Sequence, residues 1–141
     1  MAVNVSVALN KGVRCVTFMQ GGYITEKNYG KYEINGTYND IIEVMTQTLL
    51  QVKKFINKAN CTDDEFIIEC SNSIFVGWCD KLYSKEQYQD KFSVFLNLLN
   101  ELPIRYRFVY KEKPLAFKYI KDFKEDMLKP KLSGLNLEVE D

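Results

Sequence analysis

FIIECSNSIFVGW, residues 66–78, carries an apolar run into a polar corner and out again into a second apolar run. Phe66, Ile67, Ile68 and Cys70 make the short, nearly continuous apolar segment expected of a strand in the middle of a sheet. Ser71, Asn72 and Ser73 are the residue types that cap a helix by accepting a hydrogen bond from its free first-turn N–H groups, so a short helix is expected over 73–83.

What precedes this unit reads as strands. Residues 3–9, VNVSVAL, place apolar side chains on alternate positions, the period of a half-buried strand. NKG at 10–12 suits a tight hairpin, VRCVTFMQ a return strand, and GG at 21–22 a second turn. YITEKNYGKYEI follows as a third strand, expected to be interrupted or twisted near Gly30. The period then changes. Ile42, Met45, Leu49, Val52 and Ile56 step by three and four, which predicts a long amphipathic helix over about 39–56, with Thr37 or Asn39 as its cap.

Downstream, YQDKFSVFLNLLNEL is helical, with Phe92, Phe95, Leu96 and Leu99 on one stripe and Pro103 closing it. IRYRFVY alternates as a strand, Arg105 and Arg107 on one face and Ile104, Tyr106 and Phe108 on the other. PLAFKYIKDFKEDML, opened by Pro114, is expected to be a closing helix. The order is β-β-β-α-β-α-β-α. It describes an α+β mixed sheet: three antiparallel strands followed by strands that helical crossovers bring in parallel. A single domain is expected over 1–130, with 131–141 as an acidic tail that frays or docks on a partner.

Composition narrows the chemistry. A chain of 141 residues, 46% apolar and 27% charged, has the makeup of a folded domain with its own core. The start, MAVNVSVALNKG, lacks the basic and long apolar regions of a secretory signal, and there is no uncharged apolar run of about 18 residues. A cytoplasmic location is therefore expected. Cys15, Cys61, Cys70 and Cys79 lack the paired spacing of a zinc site and are expected to be structural thiols. With no His, any catalysis would have to run on carboxylates, Lys, Tyr or bound magnesium. The net charge is zero but unevenly spread: residues 105–131 hold 9 basic and 4 acidic side chains, and 61–104 hold 3 and 8.

From Val3 to about Leu128 the chain resembles the ribonuclease H family. The resemblance rests on the meander, on TYNDIIEVMTQTLLQV with its acid at Glu43, and on FIIECSNSIFV, similar to the corner where the family has Asp followed by Ser. It rests also on FSVFLNLLNELPIRYRFVYKEKP and on Asp122, which falls near the family's last acid. The resemblance implies a nuclease in which clustered carboxylates hold two magnesium ions about 4 Å apart. This sequence departs from that pattern. No Asp or Glu precedes Glu26, so the first-strand acid is missing, with Ser6 among the nearby residues, and the corner acid is Asn72.

The residues that remain also have plain structural readings. Glu43 suits a helix first turn, Asp122 a solvated helix face beside Lys118 and Lys121, and Ser71 and Asn72 a cap. The resulting expectation is a ribonuclease H-like binding module with no catalytic residues and no cofactor, an accessory or inhibitory protein of a virus or mobile element. A protein is the expected partner, with a structured nucleic acid as the alternative. For nucleic acid, the candidates are Arg105, Arg107, Lys111, Lys113, Lys118 and Lys121, a stretch that mixes bases with aromatics. The alternative function is a divergent magnesium-dependent nuclease using Glu43, Glu69 and Asp122, with Asp80 or Asp126 in support.

Overall fold

A computed structural model describes residues 2–124. Strands β1 (Ala2–Asn10), β2 (Val13–Gln20) and β3 (Tyr23–Lys31) form an antiparallel meander. Each turn has two residues with positive φ, Lys11 (51°) and Gly12 (85°), then Gly21 (57°) and Gly22 (84°). Such turns follow the twist of the strands they join, which is why short glycine-bearing links suffice. Helix α1 (Thr37–Ala59) leads to β4 (Glu65–Cys70), α2 (Ser73–Lys81), a 3₁₀ turn at Glu86–Tyr88, α3 (Gln89–Glu101), β5 (Arg105–Tyr110) and α4 (Leu115–Ile120). The sheet order is β3-β2-β1-β4-β5, with β4 parallel to β1 and β5 parallel to β4. The expected mixed sheet is thus present, with two helices in the crossover before the last strand.

Strand alternation divides the interior. Val3, Val5 and Val7 join Val16, Phe18, Phe66 and Ile68 in the main core, which also holds the inner faces of α1, α2 and α3. Phe18 stacks on Phe55 of α1 at 4.3 Å between ring centres, and Phe55 meets Phe66 edge-on at 6.3 Å. Phe75 of α2 packs edge-on against Phe92 and Phe95 of α3, so the stripe expected on α3 is what attaches the second crossover. Ala8 and Cys15 point the other way and form a smaller cluster with Ala116 and Ile120 of α4. Short side chains there let α4 lie close to the sheet.

Several expected boundaries shift. Helix α1 starts at Thr37, so neither Thr37 nor Asn39 caps it; the cap position is Gly36, without a side-chain bond. Asp40 instead accepts the Asn35 N–H at 2.7 Å and is the acid of the first turn. The earlier start moves Glu43 into the second turn, beyond the reach of the terminal dipole. The irregularity expected near Gly30 lies at Phe18/Met19, where the β2–β3 register shifts. Gly30 has a different reason. The guanidinium of Arg14, only 8% exposed, lies across it, held by Gln47 Oε1 from α1 and by Asn28 Oδ1 at 2.7 Å. The closing helix is shorter than expected within the described residues: Asp122 and Phe123 bond to carbonyls three residues back, and Phe123 turns in against the Tyr29 ring at 5.6 Å. Among the described residues no helix is long and apolar enough to cross a membrane.

Two stability measurements follow from this packing. An alanine at 30 would set its Cβ 2.6 Å from the Arg14 guanidinium carbon, so Gly30→Ala should lower unfolding free energy in urea by about 1–3 kcal/mol. Burial pushes the Cys15 and Cys70 thiols up to about 11 from an ordinary 9.0. The folded chain then holds those protons more tightly than the unfolded one, so this contribution is complete below pH 9 and is lost as pH rises through 9 toward 11. Urea titrations across that range should show the fall, and Cys15→Ala and Cys70→Ala should each make it shallower.

Candidate functional site

Ser6 and Asn72, expected from the resemblance to stand at acid positions, both perform structural work. Ser6 sits in the middle of β1, paired with Thr17 of β2 and Glu69 of β4. Its Oγ, 2% exposed, accepts the Ala116 N–H at 2.8 Å. Helix α4 has Pro114 at its own cap position, with no side chain capping it, so a hydroxyl from β1 satisfies one of its free donors. Asn72 caps α2 as its sequence suggests, Oδ1 accepting the Phe75 N–H at 2.9 Å.

The acids are dispersed. Glu69 lies on the α4 side of the sheet, 8% exposed, with Lys111 Nζ at 3.5 Å from its carboxylate. Glu43 is on α1, across the sheet, where it accepts from Gln47 Nε2 at 3.2 Å and borders a groove with Ile42, Lys91 and Val94. Asp122 stands exposed in the turn after α4, not on the helix. It is near β3: burial first, then the neighbouring Cys15 and Asp122 among other groups, raises the Tyr29 phenol above its ordinary range. Asp80 ends up exposed on α2, and Asp126 lies outside the described residues. Among the described residues no three His, Cys, Asp or Glu side chains form a group that could hold a metal ion. These residues do not fit a paired-magnesium cluster.

The basic candidates fall into two sets. Arg105 Nη2 donates to the Asp63 carbonyl at 2.8 Å, Arg107 pairs with Glu65 at 3.4 Å, and Lys111 pairs with Glu69. Their charges are partly spent within the protein, although all three remain solvent-facing and the exposed Arg107–Glu65 pair contributes little. Lys113, Lys118 and Lys121 instead gather around a surface groove of about 350 Å³ with Pro114, Leu115 and Phe117. Lys121 Nζ lies 5.0 Å from the centre of the Phe117 ring, and Lys27 of β3 lies 4.6 Å from that of Tyr119. The helix explains the arrangement. Ala116 and Ile120 face the sheet, which leaves Phe117, Lys118 and Lys121 on the outer sides. Phe117 and Lys27 were not apparent as site residues; the i, i+4 pair Ala116 and Ile120 was the available signal for Phe117.

No protein-family model matches the sequence, and no curated protein matches it. Solved structures do match in fold. The crystal structure of LC11 ribonuclease H1 in complex with RNA/DNA hybrid superposes with a TM-score of 0.62 at 13% identity, covering 78% of this chain and 83% of that one. Ribonuclease H1 from the halophilic archaeon Halobacterium salinarum gives 0.61 at 10% identity, covering 86% and 98%. A second structure of the LC11 enzyme, isolated from compost by a metagenomic approach, gives 0.58 at 12%, covering 86% and 89%. The fold is ribonuclease H-like.

If Ser6 and Asn72 are caps, removing them costs stability. Ser6→Ala strands a buried N–H and should lower unfolding free energy by about 1–3 kcal/mol. Asn72→Ala should lower it by about 1 kcal/mol. Urea unfolding of both variants is the check, and wild-type stability in either would remove the structural role assigned to that residue.

Proposed function

Starting from a ribonuclease H-like fold, we propose that this protein binds nucleic acid through the α4 face and does not cut it. One observation carries the reading: Lys113, Lys118 and Lys121 converge around Phe117 on one surface. Lysines so spaced track phosphates, and the half-buried Phe117 ring beside them adds an aromatic contact for a base. The dispersal of Glu43, Glu69 and Asp122 supports the second half, because two-metal hydrolysis needs carboxylates within a few ångströms of the same ions. The hybrid bound by LC11 ribonuclease H1 supports nucleic acid as the ligand class. The proposed unit is a single domain over 1–130 followed by the tail 131–141. A cytoplasmic setting belongs to the proposal, since four free buried thiols suit a reducing compartment. An accessory role in a virus or mobile element rests on composition alone, and the tail offered as a protein contact lies outside the described residues.

Titration of the full chain into labelled RNA/DNA hybrid, duplex and single strands, with magnesium present, tests the reading by mobility and cleavage together. Retention without cleavage is expected. Replacing Lys113, Lys118 and Lys121 with Glu should weaken binding by about tenfold or more and lower the slope of log affinity against log salt by about 1 per lysine removed. Cleavage that disappears in Glu43→Gln would make the protein a divergent nuclease instead. Absence of both retention and cleavage would favour a protein partner.

A further inference from the structure

Thr17, Ser6 and Glu69 form a row across β2, β1 and β4, because Ser6 is paired with one on each side. Their side chains share the face that carries α4, at strand spacings of about 4.8 Å. Above the row lies a cavity of about 200 Å³, lined also by Asn4 and Lys111, with Met19 and Leu115 as apolar walls. Thr17 is fully buried, yet its Oγ1 has no hydrogen-bond partner. Buried hydroxyls are rarely left unmatched, and this one can be satisfied by something that enters the cavity.

The opposite end of the row restricts what that could be. The Glu69 carboxylate and the Lys111 ammonium lie side by side, 3.5 Å apart. Together they present acceptors next to a donor. Guanine has the complementary edge: its N1–H and 2-amino groups are donors beside the O6 acceptor. Adenine sets a lone pair at N1 where the carboxylate would lie, cytosine does the same at N3, and uracil offers one N–H between two carbonyls. An unstacked base is read through this edge, and a carboxylate that accepts from two adjacent N–H groups discriminates strongly.

We propose that this cavity binds an unpaired guanine base. Glu69 accepts from N1–H and the 2-amino group, Lys111 donates to O6, and the Thr17 hydroxyl donates to N7 on the same side of the ring. Met19 and Leu115 cover apolar parts of the base. Where the guanine belongs to a strand, the inference rests on the nucleic-acid reading above, with the α4 lysines on the flanking phosphates; a free guanine nucleotide presents the same chemistry.

Calorimetric titration of the full chain with guanosine, inosine and adenosine 5′-monophosphates tests the assignment. Guanosine monophosphate should bind at least about tenfold tighter than adenosine monophosphate, with the inosine compound between them because it lacks the 2-amino group. Glu69→Gln should abolish the preference, and Thr17→Val should weaken guanosine monophosphate several-fold, each with circular dichroism melting to establish that the variant is folded. Equal affinity for the guanine and adenine nucleotides, or no binding of guanosine monophosphate at millimolar concentration, overturns the assignment; if Glu69→Gln unfolds, the wild-type ranking decides alone. Short single strands with a central guanine or adenine separate the two readings. Strand binding without base preference sinks the guanine site and leaves the phosphate-binding reading standing. Guanosine monophosphate binding without strand retention does the reverse and identifies a nucleotide site.

Discussion

Along β1, Val3, Val5 and Val7 alternate with Asn4, Ser6 and Ala8, and the rest of the molecule is arranged around that alternation. The strand sits in the centre of the sheet, antiparallel to β2 and parallel to β4, so both of its edges are paired. Valines on one side suit the large apolar interface with α1 to α3. On the other side Ala8 allows α4 to approach, and Ser6 supplies the acceptor that fixes where α4 begins. A one-residue slip of β1 would exchange the two faces and leave valines against the α4 start and a serine in the aromatic core.

A second constraint is the buried cation at Arg14. Burial lowers its pKa from the ordinary arginine value, and the charge is met by amide oxygens of Gln47 and Asn28. The guanidinium thereby links β2, β3 and α1, and Gly30 is the one residue type whose lack of a side chain leaves space for it. A second link between β3 and α1 is Lys58 with Glu26 at 2.6 Å, on the surface, where such a pair contributes little. The edge strand is positioned more by the arginine, through Asn28, than by that exposed pair.

The α4 face differs from the rest of the surface. It combines lysines from α4 and its leading loop with half-buried aromatic rings, and it adjoins the polar cavity over Ser6. Ser6 and Asn72 each make a hydrogen bond that holds a helix start. The binding role proposed above asks of this scaffold only surface charge and a shaped cavity.

Hydrophobic period and turn chemistry determined the element order, the mixed sheet and the capping role of Asn72, since these depend on residues within a few positions of each other. The basic character of 105–131 was likewise written in composition. Local sequence could not show that Ser6 serves a helix 110 residues away, or that Thr17, Ser6 and Glu69 stand in one row. Nor could it show that Lys113, Lys118 and Lys121 would gather while Glu43 and Glu69 would be set on opposite sides of the sheet. Register across strands and the side on which each helix crosses decide these things, and both are settled only when β1 chooses which of its faces meets the large core.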